Sequence, residues 1–167
     1  MRIGYVSLQG RGATDACIAA VVAELRSAGA RLAGTVQTNF DRAKSHPCDM
    51  DLMVLPAGPV LRISQDLGPG ASGCRLNGGV LEDAVMQAAR HLARADLLVV
   101  NKFGKLEAEG RGFVPLIAEA MEREIPVIVG VNGLNLPAFL RFTDGTAKQL
   151  TCAPAEIAKW LSGQPAL

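Results

Sequence analysis

The chain has 167 residues, of which 49% are apolar, 20% charged and 4% aromatic, and its formal net charge is +1. Such a balance fits a soluble globular class and gives no clustered basic surface for general nucleic-acid binding. No apolar run reaches the length of a membrane span, and the N-terminus lacks a basic segment ahead of a long apolar core, so neither membrane insertion nor a signal peptide is expected.

Ile3-Gly4-Tyr5-Val6-Ser7-Leu8 predicts a first strand, and Gln9-Gly10-Arg11-Gly12-Ala13 predicts a turn. Thr14 or Asp15 is placed to cap a helix in which Ile18, Val21, Val22 and Leu25 recur at helical spacing. Gly29 is placed to end it, and Arg31 to Gln37 predicts a second strand. Strand, glycine loop, helix and strand make the βαβ unit of a parallel sheet. Backbone N–H groups at such a helix start suit phosphate or another oxyanion. Gly10, Arg11, Gly12, Ala13 and Thr14 are therefore candidate anion ligands, although a tight turn alone would also use these glycines. The phosphate-loop pattern G-x-x-x-x-G-K-[ST] is not met. The loop reads as shorter, no lysine precedes Thr14, and Asp15 adds negative charge.

Residues 38–50 read as a polar, irregular loop. Asp51 to Pro56 and Val60 to Gln65 flank Ala57-Gly58-Pro59 as a β-hairpin appended to the core. A glycine-rich stretch, Asp66 to Gly73, leads into Cys74-Arg75-Leu76-Asn77. Asn77 can cap a helix that turns Val80, Leu81, Ala84, Val85, Ala88 and Leu92 to one side. Leu97 to Val100 predicts a strand buried on both faces, followed by an abruptly polar run from Asn101 to Gly112. Phe113 to Glu124 predicts a helix, Pro126 to Val131 a buried strand, and Pro137 to Phe142 a short helix or turn. Ala147 to Leu150 predicts an edge strand and Ala155 to Leu161 a terminal helix.

Open parallel sheets bind ligands outside the carboxyl ends of their strands, so the polar run after Val100 should line the site. Asn101, Lys102, Lys105 and Arg111 are its candidate anion ligands, and Glu107 is a candidate catalytic base. Glu107 and Glu109 can equally pair with Lys102 and Lys105 inside the loop. Arg75 offers a planar fork of donors for phosphate, molybdate or carboxylate, or else a surface ion pair. Cys74 beside it is a candidate thiolate or a small buried residue. His46-x-Cys48 belongs to no four-ligand set with zinc spacing, so no metal site is expected. The four cysteines show no CxxC pair, and reduced thiols in a cytoplasmic protein are the simplest reading.

The order glycine loop, hairpin, Cys74-Arg75-Leu76-Asn77, helix, strand and Asn101-Lys102-Phe103-Gly104-Lys105-x-Glu107-x-Glu109-Gly110-Arg111-Gly112 resembles a bacterial family of unassigned function. Some members of that family are labelled nucleoside-triphosphatase-like or molybdenum-transport ATP-binding proteins. More distantly, the chain is similar to P-loop nucleoside triphosphatases of the THEP1 type, in which the equivalent strand ends Asp-Glu-Ile-Gly-Lys-Met-Glu. Gly104, Lys105 and Glu107 match that pattern, while Asn101 and Lys102 replace its two leading acids. The resemblance implies one α/β domain over residues 1–167, with a three-layer P-loop NTPase-like fold, a mainly parallel sheet and an appended hairpin. With the phosphate-loop lysine and both acids missing, the expected role is binding of a small anionic ligand, a nucleotide or molybdate, without efficient hydrolysis. Lys102 is expected to reach the glycine loop from a neighbouring strand and to replace the missing cation. A triphosphatase with altered residues and a ligand-free interaction protein, acting as a homodimer or through a partner, are the alternatives.

Overall fold

The computed structural model describes residues 2–40, 49–65 and 75–163, with Phe40 and Arg75 as backbone alone. In chain order the elements are β1 (Ile3–Val6), α1 (Ala13–Ser27), β2 (Leu32–Phe40), β3 (Asp49–Val54), β4 (Val60–Arg62), β5 (Ser64–Gln65), β6 (Arg75–Leu76) and α2 (Gly78–Leu92). Then follow β7 (Leu97–Phe103), α3 (Lys105–Ala108), α4 (Val114–Glu122), β8 (Val127–Val131), α5 (Leu136–Phe142), β9 (Lys148–Gln149) and α6 (Pro154–Ser162).

Seven strands form one sheet in the order β4-β3-β2-β7-β8-β1-β9. β2, β7, β8, β1 and β9 run parallel, and β3 and β4 add to the β2 edge as an antiparallel hairpin. β5 and β6 form a separate two-stranded ribbon. Strand residues alternate between two cores because successive side chains leave opposite faces of the sheet. Leu97 and Val99 pack with Ile18, Val22 and Ile157 from α1 and α6. Leu98 and Val100 pack with Leu81, Ala88, Leu116 and Phe139 from α2, α4 and α5. The result is a three-layer α/β fold with a mainly parallel sheet and an appended hairpin, as expected. Among the described residues no helix is long and apolar enough to cross a membrane.

Asn77 caps α2 as expected, accepting hydrogen bonds from Gly79 N at 3.1 Å and Val80 N at 3.3 Å. Four other expectations give way. Neither Thr14 nor Asp15 caps α1; Gly12 holds that position in the left-handed region at φ 73°, which a residue without Cβ adopts at little cost. Residues 38–40 and 49–50 are not loop but continue β2 and β3, where Asn39 pairs with Met50 in register, so cross-strand pairing overrides their polar composition. The polar run after Val100 is likewise not all loop. Asn101, Lys102 and Phe103 extend β7, and Lys105–Ala108 forms α3. Finally, Cys17 in α1 and Cys152 just before α6 form a disulfide with Cα atoms 5.8 Å apart. Their separation of 135 positions hid a contact made only when α6 packs on α1. His46, Cys48, Cys74 and the stretch 66–73 lie outside the described residues.

Candidate functional site

The site begins where β1 ends. Counted from Ser7 to Thr14, the connection fills all positions of G-x-x-x-x-G-K-[ST], with Gly12 and Thr14 in place. Ser7 stands at the first glycine and Ala13 at the lysine. The loop therefore has phosphate-loop length, which corrects the shorter reading; the boundary of β1 at Val6 is what sets the count. Gly12 leads directly into the 15-residue α1, whose first N–H groups and dipole face the loop. Thr14 Oγ1 accepts from Leu8 N at 3.1 Å and ties the loop to the helix.

β2 and β7 pair only through Gly34 and Val99, then part. The Asn101 side chain, 2% exposed, fills the gap. Its Oδ1 accepts from Gln37 N at 2.9 Å, and its Nδ2 donates to Asp15 Oδ1 at 2.9 Å. Asn39 Nδ2 donates to Asp15 Oδ2 at 2.6 Å, and Gln37 Nε2 donates to Asn39 Oδ1 at 2.7 Å. The Asp15 carboxylate is thus held by two amides from the strand ends. Asn39 and Gln37 were missed by sequence reasoning because the pairing of β2 with β3 could not be read past Gln37.

Two cavities meet at this network. One, of about 230 Å³, is lined by Gly10, Arg11, Gly12, Thr14, Asp15, Asn101 and Lys102, with Gly130 of β8 and Asn132 just after it. Gly10, Arg11, Gly12 and Thr14 of the expected anion set thus come together with Asn101 and Lys102; Ala13 sits at the helix start behind them. One expectation about the route is corrected. β7 does not neighbour β1, because β8 lies between them; the α1 crossover skips two sheet positions that β7 and β8 later fill. Lys102 still reaches the cavity wall, and among the described residues it and Arg11 have no ion-pair partner.

Other candidates are not brought to the glycine loop. Arg111 pairs with Glu109 at 2.5 Å, and Lys105 lies 3.9 Å from the same carboxylate. Arg75 is placed in β6 opposite Gln65. Glu107 is 4% exposed, and both its oxygens are taken by backbone amides, from Gly104 N at 2.9 Å and Phe113 N at 3.2 Å. It closes the first turn of α3 and fastens the start of α4. Among the described residues no three His, Cys, Asp or Glu side chains gather as a metal site.

Burial pushes the Glu107 carboxyl above its usual 4.5, against the lowering by the Gly104 and Phe113 amides; the nearby Glu82 charge adds to the rise. The folded state therefore holds this proton over a window that opens at 4.5 and closes at the raised folded value. Stability from this group is lost as pH rises through that window. Glu107→Gln removes the titration but leaves an NH2 facing one backbone amide, at a cost of about 1–3 kcal/mol. The stability difference between wild type and Glu107→Gln, read by urea unfolding from about pH 4 to 7, should narrow as pH rises. A difference that widens would contradict this placement.

The model of a family described as a protein of unknown function (DUF2478) matches residues 3–160. The chain belongs to this family. It is also 33% identical over 160 residues to the molybdenum import ATP-binding protein ModC 2 of Bradyrhizobium diazoefficiens, covering 95% of this chain and 18% of that protein. This member of the DUF2478 family thus spans less than a fifth of that relative's length. In fold it is similar to the crystal structure of THEP1 from Aquifex aeolicus, with a TM-score of 0.64 at 15% identity over 98% of this chain and 96% of that one. A human cancer-related nucleoside triphosphatase, solved in solution, gives a TM-score of 0.67 at 15% identity over 99% of this chain and 100% of that one. These likenesses establish a P-loop NTPase-like fold.

Proposed function

We propose that this chain binds a small anionic ligand, a nucleotide or an inorganic oxyanion such as molybdate, and that it is not an efficient hydrolase. One observation carries the reading: the glycine loop and Lys102, which has no ion-pair partner among the described residues, line the same cavity of about 230 Å³. Backbone N–H groups and the α1 dipole supply one side of the anion, and the Lys102 ammonium the other. The names of the curated relative and of the solved nucleoside triphosphatase support nucleotide as a ligand class, and the former supports molybdate.

The residues present do not fit a magnesium-bound triphosphate poised for cleavage. Ala13 stands where a phosphate-loop lysine would. Asn101, where a metal-side acid would stand, spends its amide on Asp15 and Gln37. Phosphoryl transfer is mostly positioning and charge neutralisation, and removing a single preorganised donor costs on the order of 10²–10³ in rate. Calorimetric titration of the wild type with phosphate, molybdate and ATP should show binding of at least one of them. Phosphate release from ATP or GTP with magnesium should be negligible. Turnover near about one per second, abolished by Glu107→Gln, would overturn the non-hydrolytic reading; absence of binding by every anion would overturn the anion site.

A further inference from the structure

The second cavity, of about 260 Å³, lies against the first and shares Asn101, Lys102 and Asn132 with it. Its wall is of a different kind. Met50, Leu52, Ile63, Leu81 and Phe113, from β3, the residue after β4, α2 and the start of α4, give it a mainly apolar surface, while Gln37, Lys105, Glu107 and Asn135 add polar groups at its edge. It opens because β2 and β7 separate beyond Gly34 and Val99, so the core below α2 is not closed there by strand pairing. Among these apolar side chains the chain sets Thr35, which is 0% exposed. Among the described residues, Thr35 Oγ1 is the only buried side-chain polar atom with no hydrogen-bond partner. A buried hydroxyl without a partner carries a desolvation cost, and valine would fill the same volume without it. An apolar cavity of this size with a few convergent polar groups is the usual form of a small-molecule site.

We infer that the apolar cavity takes the uncharged organic body of a compact organic monophosphate whose anion sits at the glycine loop, with Thr35 hydrogen-bonded to that body. The inference rests on the anion reading for the first cavity and adds the class of molecule. Lys102 and Asn101 stand at the junction, where the phosphate ester oxygen joins charge to body. Free phosphate or molybdate would occupy only the glycine-loop side.

The test compares inorganic phosphate, phenyl phosphate and ribonucleoside 5′-monophosphates by calorimetry, with phenol and the free nucleosides as phosphate-free probes. Methyl resonances of Leu52, Ile63 and Leu81 report the cavity. At least one organic monophosphate should bind about tenfold or more tightly than inorganic phosphate, as burial of roughly 60 Å² of apolar ligand surface would supply. It should shift those methyl signals, while inorganic phosphate should not. Leu81→Phe fills the cavity and should erase the advantage while keeping inorganic phosphate affinity. Thr35→Val, nearly isosteric, should weaken only bodies that carry a hydrogen-bonding group. Equal affinities with unmoved methyl signals would overturn the inference and leave the anion reading standing. Methyl shifts with phenol or a nucleoside, but no binding of any phosphate, would keep the cavity as a site and overturn the anion reading. No binding and no shifts with any probe would overturn both.

Discussion

Replacing Lys102 by methionine should weaken phosphate, sulfate or nucleotide binding by about 1.5–3 kcal/mol, the loss of a charge-assisted hydrogen bond. That is roughly a ten- to hundredfold change in affinity. Methionine keeps much of the stem, so packing along β7 is preserved while the charge is removed. The expectation follows from three placements. Lys102 lines the cavity of the glycine loop, it has no ion-pair partner among the described residues, and Ala13 supplies no cation of its own. Arg11 stays on the loop in the variant, so residual binding should persist and should weaken further with salt. Calorimetry on wild type and Lys102→Met decides the matter. Equal affinity in both would remove Lys102 from the site, whatever anion binds.

Gly34→Ala should lower stability by about 3 kcal/mol or more, among the large values that backbone strain and overpacking produce. Gly34 has φ 108°, and a Cβ there would lie 1.9 Å from Val99 O, 2.7 Å from Val99 C and 2.8 Å from Val99 N. All three atoms are backbone of β7, a strand paired on both sides, so none can swing away. Relief requires β2 and β7 to move apart at their last paired rung. The next link outward is the bond from Gln37 N to Asn101 Oδ1, which spans the same gap. Gly34→Ala should therefore also reduce anion affinity, although Gly34 lines neither cavity. Urea unfolding should show the lower midpoint with an unchanged slope. A stability change below about 1 kcal/mol would mean that the close approach of β2 and β7 is softer than the geometry shows.

The site was partly legible in the chain because its two halves are local. A strand, glycines and a helix start are contiguous from Ile3 to Ala16, and the buried strand and polar tip are contiguous from Leu97 to Gly112. The P-loop-like loop, the helix cap at Asn77 and the hairpin all follow from short-range patterns of that sort. Lys105, Glu107 and Arg111 mark the limit of such reading. Their charges look alike in sequence, yet Lys105 and Arg111 turn to Glu109, while Glu107 is buried under backbone amides.

By itself, the sequence determined the alternation of strands and helices, the apolar faces that build two cores and the position of a glycine loop at a helix start. Periodicity and turn chemistry act over a few residues, so no partner from elsewhere is needed to read them. The tertiary structure alone decided the insertion of β8 between β7 and β1 and the pairing of Cys17 with Cys152. It also decided the Asp15 network and the apolar cavity floored by Thr35. Each of these joins segments distant in the chain, and each is set by which strands pair and where they part. That choice is made by the packing of the whole sheet, and no local pattern encodes it.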